Sequence, residues 1–375
     1  MDLNHTVTST SAKLAKPMTV SFWREKGWRW TVKILVVLFI IAQVVLMLYW
    51  SYEPRAFDVR ENAYQTLNIA PNEPLKPGVI TAATYSRVAS TLLDKHGGYL
   101  SNDVSVPGIV MDNMPNWEFG VLTQVRDFSL AMRDDFSRSQ SQSTADPDLV
   151  TAHTRFNTDH TLWLLPPAEN QYRGGVEAVD AYLQRLQTGE ATFSARSDNL
   201  NSWLSKVQRQ LGSLSMALGA SVGLRHVKET NPLAADTQVN QTENPAPDAP
   251  TSVTGLPTTT EIEIAPDNPN EIIVTTPRFQ VDNVFYQARG QTWAILHLLK
   301  AIEVDFADIL KQKNALVSLQ QIINKLESTQ DFIWSPIILN GTGYGLLANH
   351  SLVMASQVAR ANAALIDLGK LLREG

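Results

Sequence analysis

Apolar and polar positions along the chain fall into three regimes: one unbroken apolar run, long stretches of helical periodicity, and a polar gap. Between Ile34 and Trp50 lie 17 residues without a charge, Gln43 being the only strongly polar one. A hydrocarbon slab of roughly 30 Å needs about 20 apolar residues at a helical rise of ~1.5 Å each, and Trp30 to Tyr52 meets that need. Trp28, Trp30 and Lys33 stand at one end of the run and Tyr49, Trp50 and Tyr52 at the other, where rings and a snorkelling cation settle among lipid headgroups. The pattern predicts a transmembrane helix over 28–52.

Helical periodicity follows. One helix is predicted from about Ile80 to Lys95, with Val88, Leu92 and Leu93 on a stripe and Gly97-Gly98 as its stop. Trp117, Val121, Val125, Phe128, Met132 and Phe136 recur at spacings of three and four, with Asn116 as the N-cap. Asp146-Pro147 reads as another cap followed by a first-turn proline. Val179, Leu186, Phe193, Leu200, Val207 and Leu214 then sit seven apart, as do Ile295, Ile302, Ile309, Leu316 and Ile323; Gly189 and the Ser/Asp-rich patch at 194–199 are the points where the first column can bend or split. Such columns serve either as a seam for a partner or as the core of a bundle. The core reading takes precedence, because helices this apolar must first bury themselves. A last helix runs from about Leu346 to Leu372. The fold class is mainly α: an N-terminal transmembrane helix followed by an elongated helical bundle.

The polar gap spans 228–277, a stretch rich in Asn, Pro and Thr and read as an insertion that is disordered over 228–258. Glu261–Ile264 and Glu271–Val274 flank Pro-Asp-Asn-Pro-Asn and are expected to close a small β-hairpin. The organisation expected is a tail over 1–27, the span over 28–52, helical regions over 53–227 and 278–375 packing on one another, and the insertion between them.

Charge changes this picture by giving it a direction. Residues 1–33 hold six Lys/Arg against Asp2 and Glu25, whereas the whole chain has a net charge of -6, so the rest sums to -10. A basic flank stays cytoplasmic, which places the N-terminus inside and the body in the periplasm of a bacterium. An acidic body argues against nucleic acid. The chain has no cysteine, which removes disulfides and thiolate metal sites. The run exceeds the apolar core of a cleaved signal peptide, and Tyr49-Trp50-Ser51-Tyr52 offers no small-residue cleavage site.

Candidate chemistry is sparse. Asn340-Gly341-Thr342-Gly343-Tyr344-Gly345 lacks the Lys-Ser/Thr of a phosphate cradle and reads as a turn. His153 and His160 have no accompanying ligand pattern, and no metal or other cofactor is expected. Asp103, Asp112 and Glu118 cluster around the loop 97–118 and are the weak catalytic candidates, as carboxylates able to act as acid or base. The plainer reading, that they cap helices and satisfy turn amides, is preferred.

Two runs, Leu93-Asp94-Lys95-His96-Gly97-Gly98-Tyr99-Leu100-Ser101-Asn102-Asp103 and Asp112-Asn113-Met114-Pro115-Asn116-Trp117-Glu118, carry a resemblance, joined by His297 to Phe306 and Ser335 to Gly341. They resemble an uncharacterised family of proteobacterial single-pass inner-membrane proteins with a periplasmic helical body. The similarity covers about 45–227 and 277–375, leaves the insertion outside, and implies an envelope location without supplying any catalytic residue.

The expected function is therefore a membrane-anchored scaffold or assembly factor whose partners are the bilayer and an envelope protein or a second copy of the chain. The partner surface is expected on the loop Asn102, Asp103, Asp112, Asn113, Asn116 and Trp117. The alternatives are a peptidoglycan-acting enzyme using the loop carboxylates and, third, a periplasmic ligand-sensing subunit.

Overall fold

The computed structural model describes residues 28–138, 144–223, 225–227, 261–264, 271–333, 338–341 and 348–374. The expected tail, the centre of the insertion at 228–260, and Gly343 and Gly345 of the turn lie outside the described residues. The fold is mainly α. Its first helix, α1 (Trp28–Trp50), is long and apolar enough to cross a membrane, and none of that apolar window is buried against the rest of the chain.

The body follows as α2 (Val59–Leu67), α3 (Val79–Asp94), α4 (Asn113–Ala131), α5 (Pro147–Phe156), α6 (Ala168–Thr188) and α7 (Ser197–Ala220). After the insertion come α8 (Val281–Asp305), α9 (Ala307–Gln312), α10 (Leu316–Glu327) and α11 (His350–Glu374). Helix α8 is the hub. It is buried on almost every face, including the polar Gln287, Arg289, Gln291 and His297, as its central place in the bundle requires. Helices α4 and α3 lie along it, α5 and α6 pack outside those, and α7, α11 and α10 form the other side. Both halves of the chain share one core, so the insertion interrupts a bundle rather than separating two.

Helices α4 and α8 approach closely at a pair of glycines. A Cβ on Gly290 would fall on the Trp117 carbonyl, and one on Gly120 on the Gln287 carbonyl. Opposite ends are tied differently: Asp305, at the end of α8, accepts from the Thr81 amide and hydroxyl, both at 2.7 Å. It satisfies the free first turn of α3, whose own cap residue, Gly78, has no side chain to offer.

The structure departs from the sequence reading in register more than in kind. The column from Val179 to Leu214 is split at the place the sequence offered, because Gly189 adopts φ 92° and ends α6; Phe193 lies in the connector before α7. The column from Ile295 to Ile323 passes through α8, α9 and α10. Val179, Leu186, Leu200, Val207, Ile295 and Ile302 are nonetheless all buried within this chain, so these stripes are intramolecular core. Helix α4 begins at Asn113, with Asp112 rather than Asn116 as its cap, and Pro115 fits in its first turn, where no intrahelical donor is needed. At 225–275 three short strands pair in the order β1 (Arg225–Val227), β3 (Glu271–Thr275), β2 (Glu261–Ile264), with Ile262 opposite Val274.

Candidate functional site

The end of the bundle where α1 emerges concentrates the unusual side chains. Arg289, Trp293 and His297 recur every fourth residue and so form one ridge on α8. That ridge grips the segment directly after α1. The Arg289 guanidinium meets the Glu53 carboxylate at 2.6–3.0 Å through Nε and Nη2. Its Nη1 donates to the carbonyls of Thr329 at 2.9 Å and Asp331 at 3.0 Å. Trp293 meets the Phe57 ring edge-on, with centroids 6.0 Å apart.

His297 completes the grip. Its ring stacks on Phe57 at 4.2 Å, Nδ1 donates to the Trp293 carbonyl at 2.7 Å, and Nε2 accepts from the Phe57 amide at 3.2 Å. An accepting Nε2 requires the neutral imidazole. Burial enforces that form by pushing the His297 pKa down to about 4.

The other wall of this end is the 95–112 loop. Tyr49 of α1 contacts the His96 ring with centroids 4.5 Å apart. Trp50 lies against Gly97, whose φ of 86° and closeness to the indole (2.7 Å from a would-be Cβ) both require glycine. Glu118 then anchors the loop from below. It accepts from the Leu100 and Ser101 amides at 2.8 Å each and pairs with Lys95 at 2.5 Å. Neither side chain of that pair sees solvent appreciably. Burial raises the Glu118 carboxyl above the usual carboxylate range, against the pull of Lys95. Between loop and ridge lies a cleft of ≈ 460 Å³ lined by Glu53, Arg55, Arg87, Asp94, Lys95 and His96.

These contacts revise the expected site residues. Trp117 is fully buried, its ring 5.3 Å from that of Trp293, so it is core and offers nothing to a partner. Asn102 is also buried, its amide committed to the Leu162 carbonyl at 2.7 Å and to Glu169 at 2.8 Å. Glu118 has no open oxygen for acid–base work. Asp103 accepts from the Ser105 amide and hydroxyl at 2.9 Å, and Asp112 from the Asn113 amide at 2.9 Å, both local turn and cap bonds. Asp112 is exposed, and Asn113 and Asn116 are half-buried beside it. At the other end of α1, Lys33 lies over the Trp30 ring at 5.7 Å. His153 bonds Ser129 at 2.7 Å, whereas the His160 ring packs at a tilt on Phe119 with centroids 4.7 Å apart, so the two histidines serve separate contacts.

Sequence reasoning missed two features. One is the ridge, signalled only by an arginine and a histidine eight residues apart on the helix face that also carries Trp293. The other is a pair of exposed apolar tips at this end. Val104, Val106, Ile109 and Val110 are 56–60% exposed on the 95–112 loop. Leu162, Trp163, Leu164 and Leu165 are 38–86% exposed on the connector between α5 and α6. The run Leu-Trp-Leu-Leu-Pro-Pro at 162–167, with no periodicity of its own, was the available signal.

The fold and site define a helical-bundle protein with an apolar N-terminal helix whose exit is bonded into the bundle's central helix. Among families, the chain belongs to DUF2333, an uncharacterised protein conserved in bacteria, whose family model matches residues 23–375. That match runs through the insertion and the whole of α1, further than the motifs quoted above reach. Neither the curated proteins nor the solved structures yield a match.

Proposed function

We propose that this chain is a bitopic inner-membrane scaffold, with its N-terminus in the cytoplasm and its helical body in the periplasm, holding an envelope protein at a fixed attitude to the bilayer. The observation that carries the reading is the grip of Arg289, Trp293 and His297 on residues 53–57. An enzyme or binding domain that needs only to be kept near a membrane is served by a flexible linker. Here the residues that leave α1 are bonded within seven positions to the central helix of the body. Such a joint transmits orientation as well as location. The basic flank of α1 and the acidic body support the stated topology. Asp112 is the exposed member of the expected loop surface, with Asp103, Asn113 and Asn116 half-buried, and these four are the ones that can meet a partner.

Two measurements test this reading. Because the chain lacks cysteine, single cysteines can be introduced at Ser9 and at Val317. In intact cells a membrane-impermeant maleimide is expected to label position 317 after outer-membrane permeabilisation and to leave position 9 unlabelled; the reverse pattern contradicts the topology. Affinity isolation of the full-length chain from detergent-solubilised membranes is expected to recover one envelope protein in fixed proportion, and in lower yield with Asp112→Lys. Recovery of the chain alone contradicts the scaffold role, and recovery of several copies of it replaces the partner with a homo-oligomer.

A further inference from the structure

Outside α1 and Tyr52, fifteen large apolar side chains are exposed among the described residues, and eight of them lie on the two tips at 104–110 and 162–165. The tips are neighbours. The Asn102 amide donates to the Leu162 carbonyl at 2.7 Å, and the Tyr99 hydroxyl to the His160 carbonyl at 3.2 Å. Their bases are firm: Pro107, Gly108, Asn102 and Ala168 are buried while the apolar side chains around them point to solvent. The loop that carries the first tip also includes Gly97, on which Trp50 of α1 packs. Val104 lies seven positions after Gly97, a reach of at most ~25 Å. Apolar patches this concentrated mark an interaction surface.

We propose that both tips insert into the interface of the same bilayer leaflet from which α1 emerges, so that the body rests on the membrane at two points beside its anchor. This inference rests on reading α1 as a membrane span. Lipid is the occupant because the loop that carries the first tip packs on the aromatic exit of α1 at His96 and Gly97, and because Trp163 flanked by leucines is the composition that enters the boundary between headgroups and acyl chains. Residues 103–112 and 159–167 contain no Lys or Arg. The attraction is therefore apolar, requires no anionic lipid, and is insensitive to salt. Three contacts with one leaflet fix the tilt of the body, which a single span leaves free.

The test uses four single-cysteine variants of the full chain, Val44→Cys, Ile109→Cys, Leu164→Cys and Val317→Cys, all at exposed positions. Each carries an environment-sensitive fluorophore and is reconstituted into phosphatidylcholine vesicles that contain a lipid-borne quencher. Quenching at 109 and 164 is expected to be comparable to that at 44, unchanged in high salt, and absent at 317. Quenching at 44 with 109 and 164 behaving like 317 overturns the insertion while leaving the span intact. Loss of quenching at 44 overturns both. Shielding of 109 and 164 in native membranes but not in pure lipid assigns the tips to a protein partner and also overturns the proposal.

Discussion

Arg289 and Glu53 stand 236 positions apart in sequence, yet the guanidinium of one holds the carboxylate of the other through three contacts of 2.6–3.0 Å. Arg289 is 6% and Glu53 22% exposed, and the same guanidinium satisfies two carbonyls after α10. A planar fork with five donors can do this; an ammonium cannot. The pair joins three pieces of chain: the exit of α1, the hub helix and the 329–331 turn.

Replacing Arg289 with Met strands the Glu53 carboxylate and both carbonyls together. The expected cost is about 3 kcal/mol, the lower end for breaking a buried pair because Glu53 keeps some water. Arg289→Lys recovers less than half of it. Denaturant melts of the detergent-solubilised chain check this, and a cost under ~1 kcal/mol would reduce the pair to the standing of a surface ion pair.

His297 makes stability depend on pH in a defined direction. Its folded pKa of about 4 lies below the ordinary 6.5. Between those values the unfolded chain binds a proton that the folded chain excludes. Stability is therefore whole above pH 6.5 and falls as pH drops towards 4, by roughly 3 kcal/mol in full. In His297→Gln this component of the slope disappears. Urea midpoints for both proteins across that window measure the difference, and parallel curves would rule out a buried neutral imidazole.

Lys95 and Glu118 form a pair sealed from water at the base of the 95–112 loop. Glu118→Gln leaves the Lys95 ammonium uncompensated and is expected to cost about 3–5 kcal/mol. Adding Lys95→Met removes the stranded charge, so the double variant is expected to regain at least ~1 kcal/mol over the single one. A double variant that is worse than the sum of the singles would show that the loop, not the charge pairing, dominates.

Gly290 sits where α8 meets the Trp117 carbonyl of α4. Since backbone rather than a flexible side chain blocks the added methyl, Gly290→Ala forces the two central helices apart. The cost expected is at least ~3 kcal/mol, the top of the ordinary range for overpacking. Gly212→Ala, where only the Asn362 amide at 3.5 Å is nearby, is the helical-glycine control and is expected to be neutral or stabilising. Equal melting temperatures for the two variants would contradict the close crossing.

How far the fold was legible follows from the same residues. The apolar run at 34–50 and the columns at 179–214 and 295–323 reveal a helix long and apolar enough to cross a membrane and a helical body, because burial of one face imposes periodicity whatever the tertiary arrangement. The columns hide where helices break, since Phe193 keeps the seven-residue spacing from inside a connector. The site was less legible because its signals are long-range. Nothing local marks Glu53 as the partner of Arg289, or the Phe57 amide as the donor to His297. Trp117 and Asn102 look like recognition residues in sequence, but an aromatic and an amide serve equally well as core and as a buried tie between loops, and here they do the latter.

The central claim is that α1 and the body move as one piece. Spin labels at Val44→Cys and Val317→Cys in the otherwise cysteine-free chain, reconstituted in nanodiscs, measure this as a distance distribution. The account predicts a single narrow distribution that broadens when Arg289→Gln releases the Glu53 segment. A distribution already broad in the wild-type chain, or one that Arg289→Gln leaves unchanged, would contradict it.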